Sequence, residues 1–465
     1  MRDRDFLSFI IFEMGGRVRN MAKDQEKQLS SLKYLLLFSL PSILSSLLEP
    51  LSGLVDTALV GQLSTRWLAA LAISVTIFNS FTWMFNFLVH ASTQTISKSY
   101  ANKNYSELAS KIKISLGIAF GLGLFSCGFL YLIRTPLFLF TGAEKELIPL
   151  IESYFFIRLI GHPFTLLYTT LVSILRGLQK ITFCFWIILF TTFLNIIISW
   201  LLLFKLNYGI EGAAIGTVLS NLLGVIISFT YLLRDSSIRE KYFNKTKVEL
   251  EHLFNFGKNS ANIFGRSFFL TGSFFLSTKM SAFVGINSLA AHQILLQVWL
   301  FSSFFLDGIA ISGNILGAKY VEEKNYKLLD LTFRKLLQLG FLIGLIFTLI
   351  YLAFSHQIIH IFTVDQKVSA ILLSIWPLII ITQIPNAYSF VYDGLMFGLE
   401  AFAFLRKHMI IGVLFIFLPF ALSIHFSKQL ILLWFGLSLL NIYRGITGMI
   451  GVKTALRPLL EQNNG

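Results

Sequence analysis

Long apolar stretches constrain this chain more than any other feature of its sequence. Each of the longest has few or no charged side chains over roughly the 20 residues that a helix needs to cross a bilayer at about 1.5 Å per residue. They lie at 34–63, 67–96, 114–140, 181–204, 212–233, 333–354 and 408–426. Only 13% of all residues are charged and 55% are hydrophobic, which is far from the composition of a water-soluble domain. The pattern therefore predicts an all-α integral membrane protein.

The apolar pattern predicts twelve transmembrane helices, near 33–60, 67–95, 113–133, 148–174, 181–203, 212–233, 253–279, 287–314, 333–353, 369–393, 407–425 and 429–451. The chain start does not resemble a secretory signal, because its short apolar run at 6–12 is followed by Arg17 and Arg19 rather than by a cleavage site. We expect residues 1–30 to form a cytoplasmic extension, with Met1 and Met21 as alternative translation starts.

The net charge of +14 could indicate a nucleic-acid partner, but the positions of the basic residues argue against one. If the N-terminus is inside, the inner connections hold 19 lysines and arginines and the outer connections hold 7. This positive-inside pattern predicts that both termini face the cytoplasm. The basic excess then reflects topology, with anionic lipid headgroups as the expected partner.

The chain matches itself when it is shifted by 221 residues. Leu68-Ala69-Ala70 falls on Leu289-Ala290-Ala291, and Lys98 falls on Lys319. Because each half contains an even number of predicted helices, both halves enter the membrane from the same side, and a pseudo-twofold axis along the membrane normal relates the two lobes. The expected organisation is an N-lobe at 31–233, a cytoplasmic linker at 234–252, a C-lobe at 253–455 and a cytoplasmic tail at 456–465.

Asp56 in the first predicted helix is the leading candidate for function, because a charge in hydrocarbon costs at least ~2.5 kcal/mol and usually faces a cavity. Glu49 lies seven residues earlier, which is nearly two helical turns and places both acids on one face. Two neighbouring carboxylates at low dielectric should hold at least one proton near neutral pH. Pro41 and Pro50 predict either a hinge or a static kink in this helix.

The second half contains two intramembrane acids, Asp307 and Asp393, which are either C-lobe functional residues or structural ones. Arg158 is a candidate ion-pair partner for one of the acids. No Walker or dinucleotide fingerprint occurs, and the histidines show no metal-ligand spacing. We therefore expect neither a metal nor another cofactor.

Several short motifs recur along the chain in a fixed order. They are Leu40-Pro41, 53–61, 68–71, 158–163, 175–179, 212–217, 289–297 and 305–308. In this order they resemble the multidrug and toxic compound extrusion (MATE) family, and the resemblance extends from about residue 30 to residue 455. The motifs at 289–297 and 305–308 resemble its DNA-damage-inducible protein F subfamily in particular.

The resemblance implies a monomeric secondary active antiporter of a bacterial cytoplasmic membrane, not an enzyme. It would export small organic, often cationic, compounds by alternating access between its lobes. An inward proton gradient is the expected driving force, with sodium as the alternative coupling ion.

The resemblance also implies an ion-coupling site, whose matching positions here are Asp56, Tyr154, Asn195 and Thr217, with Na⁺ near Asp56, Asn195 and Thr217 if sodium is the ion. Two positions depart from the family pattern. Ser199 stands where the family often has an aspartate, and Asn314 stands where the subfamily tends to have a glutamate. We hypothesise from this sequence alone that Glu49 supplies the acid absent at Ser199.

Three other functions compete with this interpretation. A lipid-linked oligosaccharide flippase would need several cationic residues for pyrophosphate, and only Arg158, Arg266 and Arg444 lie within the predicted helices. An integral membrane enzyme would need a clustered nucleophile or His/Asp constellation, which the sequence lacks. A non-transporting receptor would not require the two-lobe repeat.

Overall fold

The computed structural model describes residues 31–63, 65–141, 143, 145–243, 250–363 and 365–461. Within these ranges the secondary structure is helical and contains no strand. Ten of the described helices are long and apolar enough to cross a membrane. The predicted all-α membrane architecture is confirmed, while the predicted extension at 1–30 and the choice between Met1 and Met21 lie outside the described residues.

The described residues of the first half form eight α-helices, and α6 continues into a π-helical turn at Leu201–Lys205. Helices α2 and α3 are separated only at Phe85 and make one crossing. The bounds are α1 Leu32–Leu63, α2 Thr65–Met84, α3 Asn86–Ala101, α4 Tyr105–Phe140, α5 Ile148–Gly177, α6 Ile181–Trp200, α7 Ile210–Leu232 and α8 Ser236–Phe243. The short α8 lies within the predicted linker.

The second half has the same order of crossings, with α13 and α14 forming one crossing interrupted at Thr382, and with a π-helical turn at Val413–Phe417 joining α15 to α16. The bounds are α9 Leu250–Val284, α10 Ile286–Glu322, α11 Tyr326–Ala353, α12 Ser355–Phe362, α13 Gln366–Ile381, α14 Gln383–Gly398, α15 Phe402–Gly412, α16 Leu418–Ser427 and α17 Leu430–Glu461.

Several helices extend beyond the bounds that hydropathy predicted. The third predicted helix, 113–133, begins at Tyr105, and the last one runs past 451 to Glu461. Hydropathy misses such polar turns because they lie outside the hydrocarbon but still form helix, supported by i,i+4 ion pairs such as Lys111 with Glu107.

The internal repeat recurs in the backbone. Non-glycine residues with positive φ occur in pairs whose members are 221 residues apart, at the ends of corresponding helices. Asparagine also caps both α4 and α11 through the backbone N–H of the residue three positions later. The pairs are Lys103 (φ 55°) with Lys324 (φ 54°), Gln179 (61°) with Glu400 (58°), and Asn207 (54°) with Lys428 (50°). The predicted relation between the halves is thus seen at the level of local conformation.

The two halves pack against each other through α1, α3, α9 and α10. Gly308 on α10 permits the closest approach, because a Cβ there would lie 2.4 Å from the Cα atom of Ile43 on α1. Helices α3, α10 and α14 end on one side of the bundle, which we call the lysine-rich side after Lys98, Lys103 and Lys319. This side carries the polar contacts between the halves that are described below.

Candidate functional site

Asp56 lies on α1 inside the first half and is only 5% exposed. Its Oδ2 atom accepts hydrogen bonds from Thr217 Oγ1 at 3.3 Å and from Asn195 Nδ2 at 3.5 Å. Asn195 Nδ2 also donates to Thr217 Oγ1 at 3.2 Å. The structure therefore brings together three of the side chains that the sequence singled out, one from each of α1, α6 and α7.

A close contact between α6 and α7 positions the polar pair beside Asp56. Gly216 on α7 faces Ser199 on α6, and a Cβ at Gly216 would lie 2.4 Å from Ser199 Oγ. Ser199 is fully buried and lies close enough to Asp56 to interact with it. The position at which the family often has a second acid is thus part of this site, with a hydroxyl in place of the carboxylate.

Helix α5 adds a tyrosine and an arginine to the same region. Tyr154 is 1% exposed and lies within electrostatic range of both Asp56 and Arg158. The Arg158 guanidinium lies over the Phe78 ring, 5.5 Å from its centroid. Burial in an apolar surrounding strengthens electrostatic interactions. A change in the charge of Asp56 will therefore change the electrostatic potential at Arg158.

The predicted hinge lies within one unbroken helix. Pro41 and Pro50 are both interior residues of α1. The Pro41 carbonyl accepts a hydrogen bond from the Ser45 hydroxyl at 2.7 Å. Glu49 belongs to the same helix, but its side chain is not among those that the structure describes, so its proposed sharing of a proton with Asp56 stays a prediction.

Asp393, the second-half candidate, is a member of a buried ion cluster. Its Oδ2 atom accepts from Arg444 Nη2 at 2.6 Å and also from Arg266 Nη2. Arg444 Nη1 in turn donates to Asn441 Oδ1 at 2.6 Å. Both arginines are at least nine-tenths buried, so the cluster joins α9, α14 and α17 inside the second half. Of the two readings of Asp393, this geometry favours the structural one.

The remaining two candidates lie on α10. Asp307 is partly buried and lies within electrostatic range of Arg266. Asn314 donates its Nδ2 hydrogen to the His90 carbonyl on α3 at 3.3 Å, and so joins the two halves. Both arginine partners of Asp393 were noted in the sequence but were not paired with it, although opposite charges at membrane depth within one half were the available signal.

The chain is an all-helical membrane bundle of two like halves, and polar side chains hold a buried acid in its first half. These features place it in the class of polytopic membrane proteins with an internal repeat. Comparison with known proteins identifies the family. The MatE family model matches residues 41–201 and 263–423, once in each half, and the chain belongs to this family. The resemblance seen in the sequence is confirmed.

Three relatives illustrate the range of this similarity. Protein DETOXIFICATION 42 of Arabidopsis thaliana is 28% identical over 480 residues, covering 90% of this chain and 91% of that protein. DNA damage-inducible protein F of Escherichia coli (strain K12) is 25% identical over 394 residues, covering 82% and 84%. Multidrug export protein MepA of Staphylococcus aureus (strain MW2) is 22% identical over 397 residues, covering 83% and 86%. The homologues of this chain are therefore MATE transporters.

A solved structure supports the fold. The crystal structure of MATE in the bent conformation has a TM-score of 0.85 and 17% sequence identity, and the match covers 95% of this chain and 99% of that one. At this identity the match concerns the architecture alone.

Proposed function

We propose that this chain is a secondary active efflux antiporter that exports small organic compounds in exchange for a coupling ion. The observation that carries the proposal is the buried Asp56 carboxylate, held by Asn195 and Thr217 from two neighbouring helices. An ionisable group at membrane depth is costly, and such groups generally serve transport pathways or proton relays. A relative named as a multidrug export protein and another named for detoxification support an organic substrate.

The donors around Asp56 favour a proton as the coupling ion. The Asn195 amide nitrogen donates both to Asp56 Oδ2 and to Thr217 Oγ1, and an amide N–H offers no lone pair to a cation. A hydroxyl can reverse its role, so Thr217 can accept a hydrogen bond from a protonated Asp56. Asn195 and Thr217 can therefore contact Asp56 in both of its protonation states.

We infer the orientation of the chain in the membrane from the distribution of its basic residues. We assign the lysine-rich side to the cytoplasm of a bacterial cell, in accordance with the positive-inside pattern.

Protonation of Asp56 weakens its attraction to the donors on α6 and α7, and α1 can then bend at one of its prolines. Since α1 packs against Gly308 of the other half, such a bend would change the contact between the halves.

Replacing Pro41 by alanine tests the proposed bend. We expect Pro41→Ala to slow turnover several-fold with little effect on the apparent substrate affinity, because a regular α1 loses the weak point in its backbone hydrogen bonding. Initial rates of dye efflux over a range of dye concentrations would measure both quantities. If Pro41→Ala and Pro50→Ala both keep the wild-type turnover, the prolines are static kinks.

The antiport itself can be tested in everted membrane vesicles that contain the full chain. Dye transport into the vesicles should stop when the proton gradient is collapsed, and should continue when only the sodium gradient is collapsed. Vesicles with an Asp56→Asn chain are the control for leak and for other transporters. Transport that survives the loss of both gradients would contradict secondary active coupling.

The ion cluster of the second half argues against the flippase alternative. Recognition of a pyrophosphate would require arginines that are free to bind it. Arg266 and Arg444, two of the three candidates, are both bound to Asp393.

A further inference from the structure

A cluster of polar and charged side chains joins the two halves at the lysine-rich side. Lys98 Nζ at the end of α3 lies 3.1 Å from Glu400 Oε1 and 3.4 Å from Glu322 Oε2, and both acids belong to the second half. Gln94 Nε2 donates to Glu400 Oε1 at 2.7 Å, and Asn102 Nδ2 donates to Glu322 Oε1 at 2.5 Å. We call these five side chains the Lys98 latch.

The internal repeat shows that the latch is built on one side of the pseudo-twofold axis only. A shift of 221 residues takes Lys98 to Lys319, which keeps the cation. The same shift relates Glu322 to Ala101 and Glu400 to Gln179, so the symmetry-related position has no acid. The lysine is repeated and its two acidic partners are not.

The backbone at Glu400 is reproduced at its counterpart. Glu400 has a φ of 58° in the turn between α14 and α15, and Gln179 has a φ of 61° in the turn between α5 and α6. Side chains other than glycine rarely adopt this conformation. Because both positions already do so, a glutamate at Gln179 would leave the backbone unchanged and would occupy the place that corresponds to Glu400 under the repeat.

We propose that Lys98, Glu322 and Glu400 are positioning residues of the transport cycle, whose ion pairs hold the halves together at the lysine-rich side and limit how often that side opens. The effect of these ion pairs on transport rests on the proposed efflux function, whereas the ion pairs themselves rest on the contacts described above. Its side chains are partly exposed, with 37% for Lys98, 20% for Glu322 and 40% for Glu400. Partly exposed ion pairs each change an equilibrium by a few-fold, which suits a contact that must break in every cycle.

The population of the open lysine-rich side can be measured directly by spin-label distances. Ser106 on α4 and Lys327 on α11 are exposed, lie outside the latch and correspond under the repeat. Labels at Ser106→Cys and Lys327→Cys, in a full chain whose Cys127 and Cys184 are changed to alanine, would report the separation of the halves in nanodiscs. No gradient or substrate is needed, so this readout does not depend on efflux.

Opposite changes at the two related positions should have opposite effects. We expect Glu400→Gln to raise the open population about two- to fivefold, because it removes one ion pair and keeps the side-chain shape. We expect Gln179→Glu to lower that population by a similar factor, because it supplies an acid from the first half for Lys319, whose acidic neighbour Glu323 belongs to the second half. High salt should reduce the difference between wild type and Glu400→Gln, since about 1 M salt screens charges beyond about 3 Å.

Glu107→Gln is the matched control, because Glu107 pairs with Lys111 on the same side of the molecule but within a single helix. It should leave the distance distribution unchanged. Identical distributions for wild type, Glu400→Gln and Gln179→Glu would overturn the latch, as would an equal shift in Glu107→Gln. A shift as expected in a chain without any efflux would support the latch and overturn the proposed function.

Discussion

Asp56→Asn is expected to reduce gradient-driven efflux to the level of vesicles without the transporter, while expression and membrane insertion stay normal. Asparagine has nearly the same shape as aspartate and can still contact Asn195 and Thr217, so the packing of α1, α6 and α7 should survive. What it lacks is a group that can bind and release a proton. Dye efflux and membrane yield, measured on the same preparations, would check both parts of the prediction.

The Asp56 prediction has an internal control at the neighbouring acid. If Glu49 shares a proton with Asp56, Glu49→Gln should shift the pH dependence of efflux without abolishing it. The double variant Glu49→Gln with Ser199→Asp should then restore function. A profile identical to wild type in Glu49→Gln would leave Asp56 as the coupling group alone, and wild-type drug resistance in Asp56→Asn would overturn the site.

Asp393→Leu is expected to cost about 3–5 kcal/mol of stability, because it leaves the buried Arg266 and Arg444 without their shared counter-charge. The effect should appear as a large fall in the midpoint of thermal unfolding in detergent. If the cluster is structural, a variant that makes all three positions apolar should recover much of the loss, since well-packed apolar replacements of buried ion clusters are often neutral.

Asp330→Asn is the control for the loss of an ion pair as such. Asp330 Oδ2 lies 2.9 Å from Arg334 Nη2 on α11, where Arg334 is 72% exposed, so we expect a change of about 0–1 kcal/mol. Equal midpoints for Asp393→Leu and Asp330→Asn would show that the buried cluster does not support the second half. A stable Asp393→Leu chain that has lost efflux would instead place Asp393 in the transport machinery.

The sequence was sufficient for the residues around Asp56, although not for their arrangement. Asp56 was selected because an acid stands out in an apolar helix, whereas Asn195 and Thr217 were selected only because the motifs resemble a family. Ser199 was noted as a departure from the family pattern, but its close contact with Gly216 on α7 is seen only in the structure. The proximity of Arg158 and Phe78 could not be predicted, because they lie on different helices far apart in the chain.

Hydropathy, the distribution of basic residues and the 221-residue repeat are properties of the chain alone, and they were enough to predict the helical membrane class and the two related halves. They are strong signals because the cost of an unsatisfied backbone or a charge in hydrocarbon applies to each segment separately. The ion cluster at Asp393 and the Lys98 latch are different, since each depends on side chains from three helices or turns meeting at one point. Such meetings depend on how helices pack, at contacts such as that of Gly308 with Ile43, and no local pattern in the chain encodes that geometry.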